Sequence, residues 1–507
     1  MTADTADTTA TVTAGSATRR GLVGAAIGAA WIAGLFAASP LVGGFAVETI
    51  AESVIVSSPG WLSTAAVSTL GFYATPVLVA SVTAVLVAIP AAILTIRPLP
   101  ERGSRTVAVA SLVVTVPVLY AVGSGVSAGF LVAVVLCVAA PAVVASGLRP
   151  TGRPQTRRRF LRRVGAYGVV SVLAGVGLRT GFDRLVGPGV SERAGEPLPE
   201  SVTPPEGDPA FAFDGMPTAI TEYGDHYVVD INVNPPAVDL DAWRLDVEGA
   251  VDEPYSLTYD ELLDHDDRVE QPTTMLCISN PVGGGLIGTG HWTGVQLSDL
   301  VAAAAPNEAA VSVVTHAADG YSEAIPFDLV EREDVLIAYG MDDRTLEPEH
   351  GFPARLLIPG RYGMKMTKWI DRIELREEEH EAYWEERGWD EQAVVNPMSY
   401  VRGAERDGDE VVVGGVAFAG LETGVEEISG VEVSVDGGET WETTELEPQI
   451  AAHAWRRWRH TFDAPGRSEF EVVARAVLRD GTVQTDVETS PRPSGATGWH
   501  RETVSVE

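Results

Sequence analysis

Apolar residues dominate the first third of the chain, in runs long enough to cross a lipid bilayer. The runs cover residues 21–39, 70–96, 106–120 and 125–147. Most of them approach the roughly 20 residues that a membrane-spanning helix needs. The stretch 41–68 contains Glu48 and Glu52 and is interpreted as a loop or a segment lying on the membrane surface. The pattern predicts an all-α transmembrane bundle of four helices over residues 21–147, preceded by a disordered tail at residues 1–20.

Arginines give these predicted helices an orientation. They cluster at residues 19–20, 97–105 and 149–163, whereas the loops 40–68 and 121–124 contain none. Four crossings place every cluster on the same side, which the positive-inside rule identifies as the cytoplasm.

A further basic stretch, "TRRRFLR" at residues 156–162, precedes a short apolar segment at 164–178. It resembles a twin-arginine export motif. A positively charged flank before a fifth helix also explains the arginines, but it leaves the Phe-Leu placement unexplained. No small-residue cleavage site follows, so residues 148–185 are expected to remain as a fifth transmembrane helix. Both interpretations predict a multi-pass protein of the cell membrane, with everything after residue 180 on the extracytoplasmic side.

The pattern changes after a Pro/Gly/Glu-rich linker at residues 186–212. Short strands at "WRLDVEGAV", "AAVSVVTHA" and "ARLLIPG", mixed with helical stretches such as the capped "LTYDELLDH", predict an α+β domain over residues 213–395. Strict alternation with Asp-Gly turns at 436–437 and 480–481 predicts an immunoglobulin-like β-sandwich over residues 396–507.

Charge divides the chain in the same place. Residues 1–200 hold 15 basic and 9 acidic residues, a net charge of +6, and residues 201–507 hold 21 and 61, a net charge of -40. Such a negative soluble part excludes nucleic acid or an anionic lipid surface as its partner. An acidic surface almost without lysine is typical of adaptation to high salt; an acidic docking surface is the alternative.

The chain has only two lysines, three positions apart, in a segment that concentrates positive charge. Gly363 and neighbouring glycines permit tight turns whose N–H groups can point at oxygen atoms. The segment is interpreted as a socket for phosphate or another polyanion, with surface ion pairs as the alternative. Five residues that can donate hydrogen bonds to an anion fall within residues 350–368: His350, Arg355, Arg361, Lys365 and Lys368.

The two cysteines fall on opposite sides of the predicted membrane, so they are not expected to pair. Cys137 lies in an apolar run, whereas Cys277 precedes a glycine-rich stretch in the acidic part. A single extracytoplasmic thiol is expected to be buried, catalytic or a metal ligand. Residues 1–200 contain no histidine, and their only methionine is Met1, which excludes a transmembrane haem held by such ligands.

Residues 213–507 resemble the sulfite oxidase-like molybdopterin oxidoreductases. "TTMLCISNP" is similar to the cysteine loop of that family, "DGYSEAIP" and "EPEHGFPARLLIPGRYGMKMTKW" to its cofactor-binding core, and "VEVSVDGGETW" to its dimerisation sandwich. The resemblance implies that Cys277 is the thiolate ligand of molybdenum and that Tyr321 lies near the metal. It also implies a set of residues that hold the molybdopterin and its phosphate: Asn280, His350, Arg355, Gly363, Lys365 and Lys368.

The activity implied is a two-electron oxygen-atom transfer on a small oxyanion, sulfoxide or N-oxide, with electrons exchanged through a separate carrier protein. A homodimer formed through the C-terminal domain is also implied. Sulfite oxidases carry arginines just after the cysteine and in an early strand, whereas residues 278–290 have no basic residue and that strand offers Asp230, Asn232 and Asn234. His291 is another source of charge. The alternative is a non-catalytic extracellular binding module that keeps the fold without molybdenum.

Overall fold

The computed structural model describes residues 4–42, 45–57, 74–97, 103–122, 128–148, 157–186, 193–200, 203–229, 232, 235–236 and 238–506. The chain divides into two compact units. A helical unit is built mainly from residues 1–58 and 72–189, and a second unit mainly from residues 190–230 and 238–507.

Long helices make up the described part of the helical unit. Two contain stretches that are long and apolar enough to cross a membrane, Ala17–Ser39 and Pro76–Ile96, and Ser104–Tyr120 and Phe130–Ser146 are shorter apolar helices. The sequence predicts five membrane-spanning helices, whereas only two of the described helices are long and apolar enough to cross a membrane. The structure therefore supports the predicted transmembrane bundle only in part. The helices are Asp4–Val42, Ala46–Ser57, Ala74–Ile96, Gly103–Val122, Ala128–Gly147 and Arg157–Val186.

Three segments of this unit differ from the sequence-based expectation. The first helix begins at Asp4 and runs through most of the expected disordered tail, which is rich in alanine and has no proline to stop a helix. Residues 41–68 contain the helix Ala46–Ser57, and residues 58–73 lie outside the described part. The helix predicted as a fifth span has only a short apolar stretch, because arginines at 163 and 179 bound it.

Two five-stranded sheets form the first part of the second unit. One has the order β2-β1-β10-β5-β6, with β1 and β10 parallel, and the other is antiparallel in the order β3-β4-β7-β8, with β9 paired to β7. Apolar side chains from both sheets share one buried cluster. The strands are β1 Leu245–Gly249, β2 Tyr255–Leu257, β3 Arg268–Leu276, β4 Ile287–Gln296, β5 Ser312–Ala317, β6 Ser322–Pro326, β7 Leu336–Met341, β8 Arg344–Thr345, β9 Arg355–Leu357 and β10 Ile370–Arg376.

Short helices connect these strands. Tyr259–Leu263 is one of them, and it starts where the sequence predicts a capped helix: the Thr258 hydroxyl accepts from the Glu261 N–H at 3.2 Å. The other short helices are Leu297–Ala303 and Phe327–Val330, and the 3-10 turns are Pro209–Phe211, Pro348–His350 and Gly363–Lys365.

A β-sandwich follows, as the alternating pattern predicts. Its sheets have the orders β11-β12-β18-β17 and β16-β15-β19-β20. Alternate residues of β12, such as Val411 and Val413, point into a core shared with Trp458 and Phe470. The strands are β11 Met398–Asp407, β12 Glu410–Phe418, β13 Gly420–Leu421, β14 Gly424–Val425, β15 Ile428–Ser434, β16 Glu442–Thr443, β17 Glu445–Leu446, β18 Arg456–Asp463, β19 Glu469–Leu478 and β20 His500–Ser505.

The expected linker at residues 186–212 is packed against the second unit from residue 193 onwards. Leu198 joins the buried cluster of the two sheets, and Pro197 forms a β-bridge with Arg344. Phe211 is buried, and the guanidinium groups of Arg457 and Arg459 lie 5.8 and 5.2 Å from the centre of its ring. These residues therefore belong to the domain that the sequence analysis begins at residue 213.

Candidate active site

Cys277 lies immediately after β3, at the start of a closed turn. The Asn280 N–H donates to the Cys277 carbonyl at 3.0 Å, and the Asn280 side-chain oxygen accepts from the Leu286 N–H at 3.0 Å. The turn therefore ties the end of β3 to the beginning of β4. Asn280 therefore fixes the shape of this loop through its hydrogen bonds. Within the loop, Cys277 is 9% exposed.

The Cys277 sulfur has one polar neighbour in the turn, the Ser279 hydroxyl, at 3.0 Å. Burial raises the pKa of the thiol, and the hydrogen bonds from Ser279 act against that rise. Such a thiol ionises when a metal cation takes the place of its proton. The position therefore suits a metal ligand better than a free nucleophile.

Four basic side chains are buried together in the same unit. His226, His350 and Arg355 are each 4% exposed and Lys368 is 9% exposed. The Arg355 guanidinium donates to the His350 carbonyl at 3.1 Å, and the Lys368 ammonium donates to the Glu349 carbonyl at 3.0 Å. Within the described residues, Arg355 forms no ion pair, and its Nε atom and the His226 Nε2 atom have no hydrogen-bond partner.

Burial and mutual repulsion disfavour the charged forms of this cluster. Burial lowers the pKa of His226 to about 4, and Arg355 lowers it further. Burial lowers the pKa of His350 to about 3, helped by His226, Arg355 and Lys368. Burial also lowers the pKa of Arg355 to about 10. A buried guanidinium without a carboxylate is costly, so the cluster fits an anionic group that supplies the missing negative charge.

Aromatic rings surround the cluster. His226 stacks on Tyr227 at 5.2 Å and meets Trp292 and His350 edge-on at 5.6 Å each. The Arg355 guanidinium lies 5.2 Å from the centre of the Trp292 ring. Trp292 is fully buried on β4, so it holds both the imidazole and the guanidinium in place.

Tyr227 connects the cysteine turn to the basic cluster. Burial raises the pKa of its phenol, Cys277 raises it further and Arg355 lowers it, so both groups lie close enough to act on it. Gly363 makes room for the phenol, because a Cβ there would lie 3.0 Å from the Tyr227 hydroxyl and 3.7 Å from the Leu276 carbonyl. Gly363 therefore brings the lysine-containing segment against the cysteine turn.

Gly351 supports the cluster through its backbone conformation. It has a φ of 107°, and a Cβ there would lie 3.1 Å from the Lys368 Cβ and 3.2 Å from the Arg355 Cβ. A residue with a side chain would strain the backbone and push both cations away.

Lys365 has different neighbours from those predicted. Its ammonium pairs with Glu323 at 2.5 Å and with Glu385 at 2.6 Å, and its side chain is 1% exposed. The Tyr321 hydroxyl lies in the same network, donating to Glu323 at 2.8 Å or to the Met364 carbonyl at 2.7 Å. Lys365 and Tyr321 therefore share a carboxylate, and the predicted pairing of Lys365 with His350 and Arg355 gains no contact in the structure.

The other polar candidates have separate positions. His291 is buried on β4, and burial lowers its pKa, so the ring is neutral at pH 7 and does not supply the charge that the sequence left open. Arg361 donates to the Glu422 carbonyl at 2.8 Å rather than joining the basic cluster. Asn232 is half-buried, and Asp230 and Asn234 lie outside the described residues.

Arg402 brings a cation to the glycine-rich stretch from the sandwich. Its guanidinium donates to the Gly283 carbonyl at 2.8 Å and the Gly284 carbonyl at 2.6 Å. The sequence of residues 278–290 has no basic residue, so this contact is visible only after β11 is placed beside the turn.

Several residues of the cysteine turn, the basic cluster and the carboxylate network of Lys365 were not predicted from the sequence. His226 precedes the early strand and gave a weak signal, as one of only nine histidines in the chain. Glu323 gave a stronger signal, since a charged residue stands at an inward position of the alternating β6. The missed residues are His226, Tyr227, Ser279, Glu323, Glu385 and Arg402.

Two family models match the second unit. The oxidoreductase molybdopterin binding domain matches residues 232–384, and the Mo-co oxidoreductase dimerisation domain matches residues 390–507. Together they cover most of the unit that carries the cysteine turn and the basic cluster.

The chain is similar in sequence to known oxidoreductases. The sulfite oxidase of Gallus gallus is 30% identical over 323 residues, which are 52% of this chain and 69% of that protein. The nitrate reductase [NAD(P)H] of Hordeum vulgare is 28% identical over 286 residues, 45% of this chain and 32% of that protein. Among solved structures, the sulfane dehydrogenase SoxCD of Paracoccus pantotrophus matches 59% of this chain and 86% of its own at 23% identity, with a TM-score of 0.49.

Proposed function

The chain belongs to the sulfite oxidase-like family of molybdopterin oxidoreductases, and from this premise we propose that it transfers an oxygen atom to or from a small substrate at a molybdenum bound by Cys277. Membership makes it a molybdenum-cofactor-dependent oxidoreductase. The observation that carries the rest of the proposal is the buried basic cluster, in which the Arg355 Nε–H has no partner among the described residues and lies one tyrosine away from the thiol.

The residues present fit the cofactor. The terminal phosphate or the pterin would supply the negative charge and the acceptor that the Arg355 guanidinium lacks among the described residues, with His226, His350 and Lys368 buried beside it, and the Cys277 sulfur is a soft ligand suited to a sulfur-ligated metal. The bound group supplies a metal centre that exchanges an oxygen atom and two electrons with the substrate. The chain holds that centre in a buried turn, and Ser279 tunes the sulfur by its hydrogen bond.

A positive charge near the turn supports an anionic or strongly dipolar substrate. The positive charge that the structure places there belongs to Arg402, whose guanidinium already donates to two carbonyl groups. We propose a small oxyanion, sulfoxide or N-oxide, with electrons exchanged through a separate carrier protein and a homodimer formed through the dimerisation domain. A screen of the loaded enzyme with sulfite, sulfoxides, N-oxides and nitrate, using an artificial electron carrier, identifies the substrate. A preference for a substrate outside this class would contradict the assignment.

Metal analysis of the purified protein tests the cofactor site. Molybdenum and pterin are expected at about one per chain, and Cys277→Ser is expected to retain pterin while losing turnover, because the phosphate contacts are unchanged and the sulfur ligand is gone. Ser279→Ala is the matched control: it alters the same turn without removing a ligand and should keep the metal. Full activity of Cys277→Ser would refute the ligand assignment, and protein without molybdenum would refute the function.

We also propose that the helical unit anchors the enzyme in the membrane, with the second unit on the extracytoplasmic side. The face presented by Ala74–Ile96 supports this, because Val85, Ile89 and Ile93 are 57, 49 and 54% exposed, which suits contact with lipid. One buried polar pair between these helices is satisfied internally, since the Trp31 indole N–H donates to the Thr115 hydroxyl at 2.8 Å. The arginine distribution supports the orientation, and residues 156–162 support twin-arginine export. A tag after residue 200 that proves accessible only from the cytoplasm would reverse the orientation.

A further inference from the structure

A line of buried hydrogen bonds runs through the second unit beside the cysteine turn. It consists of the Tyr321 phenol, the Glu323 carboxylate, the Lys365 ammonium and the Glu385 carboxylate, with successive distances of 2.8, 2.5 and 2.6 Å. The side chains of Glu323, Lys365 and Glu385 are 0, 1 and 7% exposed. Neither the proposed cofactor contacts nor the core packing uses these groups.

The line holds more negative than positive charge. Two carboxylates share one ammonium, so one proton is needed to neutralise the group. Burial raises the pKa of Glu323, Lys365 lowers it and Glu385 raises it again, which leaves it at about 7. Burial lowers the pKa of Lys365, but the two carboxylates outweigh burial and hold it above its usual value. Glu323 can therefore take up and release a proton near neutral pH.

The inner end of the line reaches the segment that borders the cysteine turn. The Tyr321 hydroxyl contacts the Met364 carbonyl at 2.7 Å, and the preceding Gly363 lies against Tyr227 and the Leu276 carbonyl. Burial and the neighbouring carboxylates keep the pKa of Tyr321 well above its usual value, so the phenol remains protonated. The Tyr321 phenol can therefore give its proton to Glu323 only as its oxygen receives another proton.

The outer end of the line lies just beneath the surface. The second oxygen of Glu385 accepts from the Ala382 N–H at 2.9 Å, in a turn that presents exposed carboxylates on either side. Those carboxylates belong to Glu381 and Glu386. The other groups that face the line are the Asp319 carboxylate, which acts on Tyr321, and Tyr383, whose ring centre lies 5.9 Å from that of Tyr321.

We propose that Tyr321, Glu323, Lys365 and Glu385 form a proton relay between the molybdenum site and the solvent. The inference rests on the proposed function. Oxidation of a substrate X with water as the oxygen source, X + H₂O → XO + 2 H⁺ + 2 e⁻, leaves two protons in a buried site while the electrons pass to the carrier protein.

Each proton moves by successive exchanges that start at the outer end. The Lys365 ammonium gives a proton to Glu385, which releases it to water, and the Lys365 amine then takes the proton of protonated Glu323. Glu323 in turn takes the Tyr321 proton as the Tyr321 oxygen gains one from the water that the reaction consumes. Reduction of a substrate runs the same line inward. Glu323 and Glu385 act through Tyr321 and are positioning residues of the relay.

Glu323→Gln tests the relay, because it keeps the size of the side chain and removes the proton acceptor. Molybdenum and pterin content and KM should be unchanged, whereas kcat should fall about 100-fold or more and lose the dependence on pH near 7. Glu385→Gln should also lower kcat, because it removes the group that releases the proton, and should shift the remaining dependence to lower pH, because it removes the negative charge that raises the pKa of Glu323. Glu374→Gln is the matched control, since this carboxylate bonds His316 outside the line.

An infrared titration needs no substrate. The protonated carboxyl band of Glu323 should appear with a midpoint near pH 7, vanish in Glu323→Gln, move to lower pH in Glu385→Gln and persist in Glu374→Gln. A carboxyl titrating only near the usual glutamate value, or unchanged turnover in Glu323→Gln, would overturn the relay alone. Loss of molybdenum in a folded Glu323→Gln would also overturn it, in favour of a structural role. Wild-type holoprotein that turns over no substrate would overturn the proposed function itself.

Discussion

At the scale of single residues, the two lysines of the chain do different work although they are three positions apart. Lys365 sits between two buried carboxylates. Lys368 lies in the basic cluster, with its ammonium on the Glu349 carbonyl and 4.5 Å from the centre of the Trp369 ring. Both lysines are predicted to hold the cofactor, but Lys365 contacts carboxylates instead, and the contact of Lys368 with the cofactor stays a prediction.

Replacing each lysine by methionine separates these roles. Lys368→Met should lower the pterin content. Lys365→Met should lower the melting temperature of the cofactor-free protein strongly, because it leaves two buried carboxylates without a cation, at a cost of about 3–5 kcal/mol. Calorimetry of the cofactor-free proteins and pterin fluorescence measure the two effects. Unchanged pterin content in Lys368→Met, or an unchanged melting temperature in Lys365→Met, would contradict the division.

At the scale of elements, the cluster depends on a short sequence of backbone features. The 3-10 turn Pro348–His350 ends at Gly351, and β9 begins at Arg355. This arrangement points an imidazole and a guanidinium into the same pocket. Because β9 pairs with β7, in the middle of a sheet, the pocket is held by the most buried part of the domain.

The histidines of this pocket predict acid sensitivity of the cofactor-free protein. His226 and His350 have folded pKa values of about 4 and 3, below their usual 6.5, so the unfolded chain binds more protons and stability falls as pH drops from 6.5 towards 4. For His226 alone the loss is on the order of 3 kcal/mol. The raised pKa of Glu323 has the opposite sign, with stability falling as pH rises from 4.5 to 7, but one glutamate opposes two histidines.

Bound cofactor should reduce this sensitivity, since its phosphate favours the charged imidazoles. Thermal unfolding of loaded and cofactor-free protein between pH 4 and 7 measures the difference. His226→Gln should flatten the curve of the cofactor-free protein. A steeper acid loss in the loaded protein would argue against a phosphate beside these histidines.

The sequence predicts the elements of this site better than its contacts. The positions of β1, β5 and β9 and the cap at Thr258 follow from local alternation and capping residues, and the structure confirms them. The partners of Lys365 do not follow, because Glu323 and Glu385 are 42 and 20 residues away in the chain. Whether a buried lysine meets phosphate or carboxylate depends on which strands become neighbours, and no local pattern carries that information.

At the scale of the whole molecule, the second unit begins earlier in the chain than composition indicates. Composition places its start at residue 213, but residues 193–200 and 203–212 already pack on the second unit through Leu198 and Phe211. The Asp208 N–H also donates to the buried Glu447 at 2.6 Å. The adaptation to high salt expected from the acidic surface stays a prediction.

Fragments test this boundary and the membrane anchor together. The whole chain should remain with membranes after alkaline carbonate extraction, whereas residues 193–507 should be soluble and bind cofactor. Residues 213–507 should melt at a lower temperature, because removing two buried apolar side chains costs about 2–5 kcal/mol each. Extraction of the whole chain by carbonate would exclude an integral anchor, and equal melting of the two fragments would restore the boundary at residue 213.

The burial of both lysines also has a practical side. With Lys365 and Lys368 only 1 and 9% exposed, the folded second unit offers amine-directed reagents no accessible lysine side chain. Cross-linking, biotinylation and surface coupling through amines would therefore leave this unit intact and unattached. Slow labelling of Lys368 would instead reveal a pocket that has opened or lost its occupant.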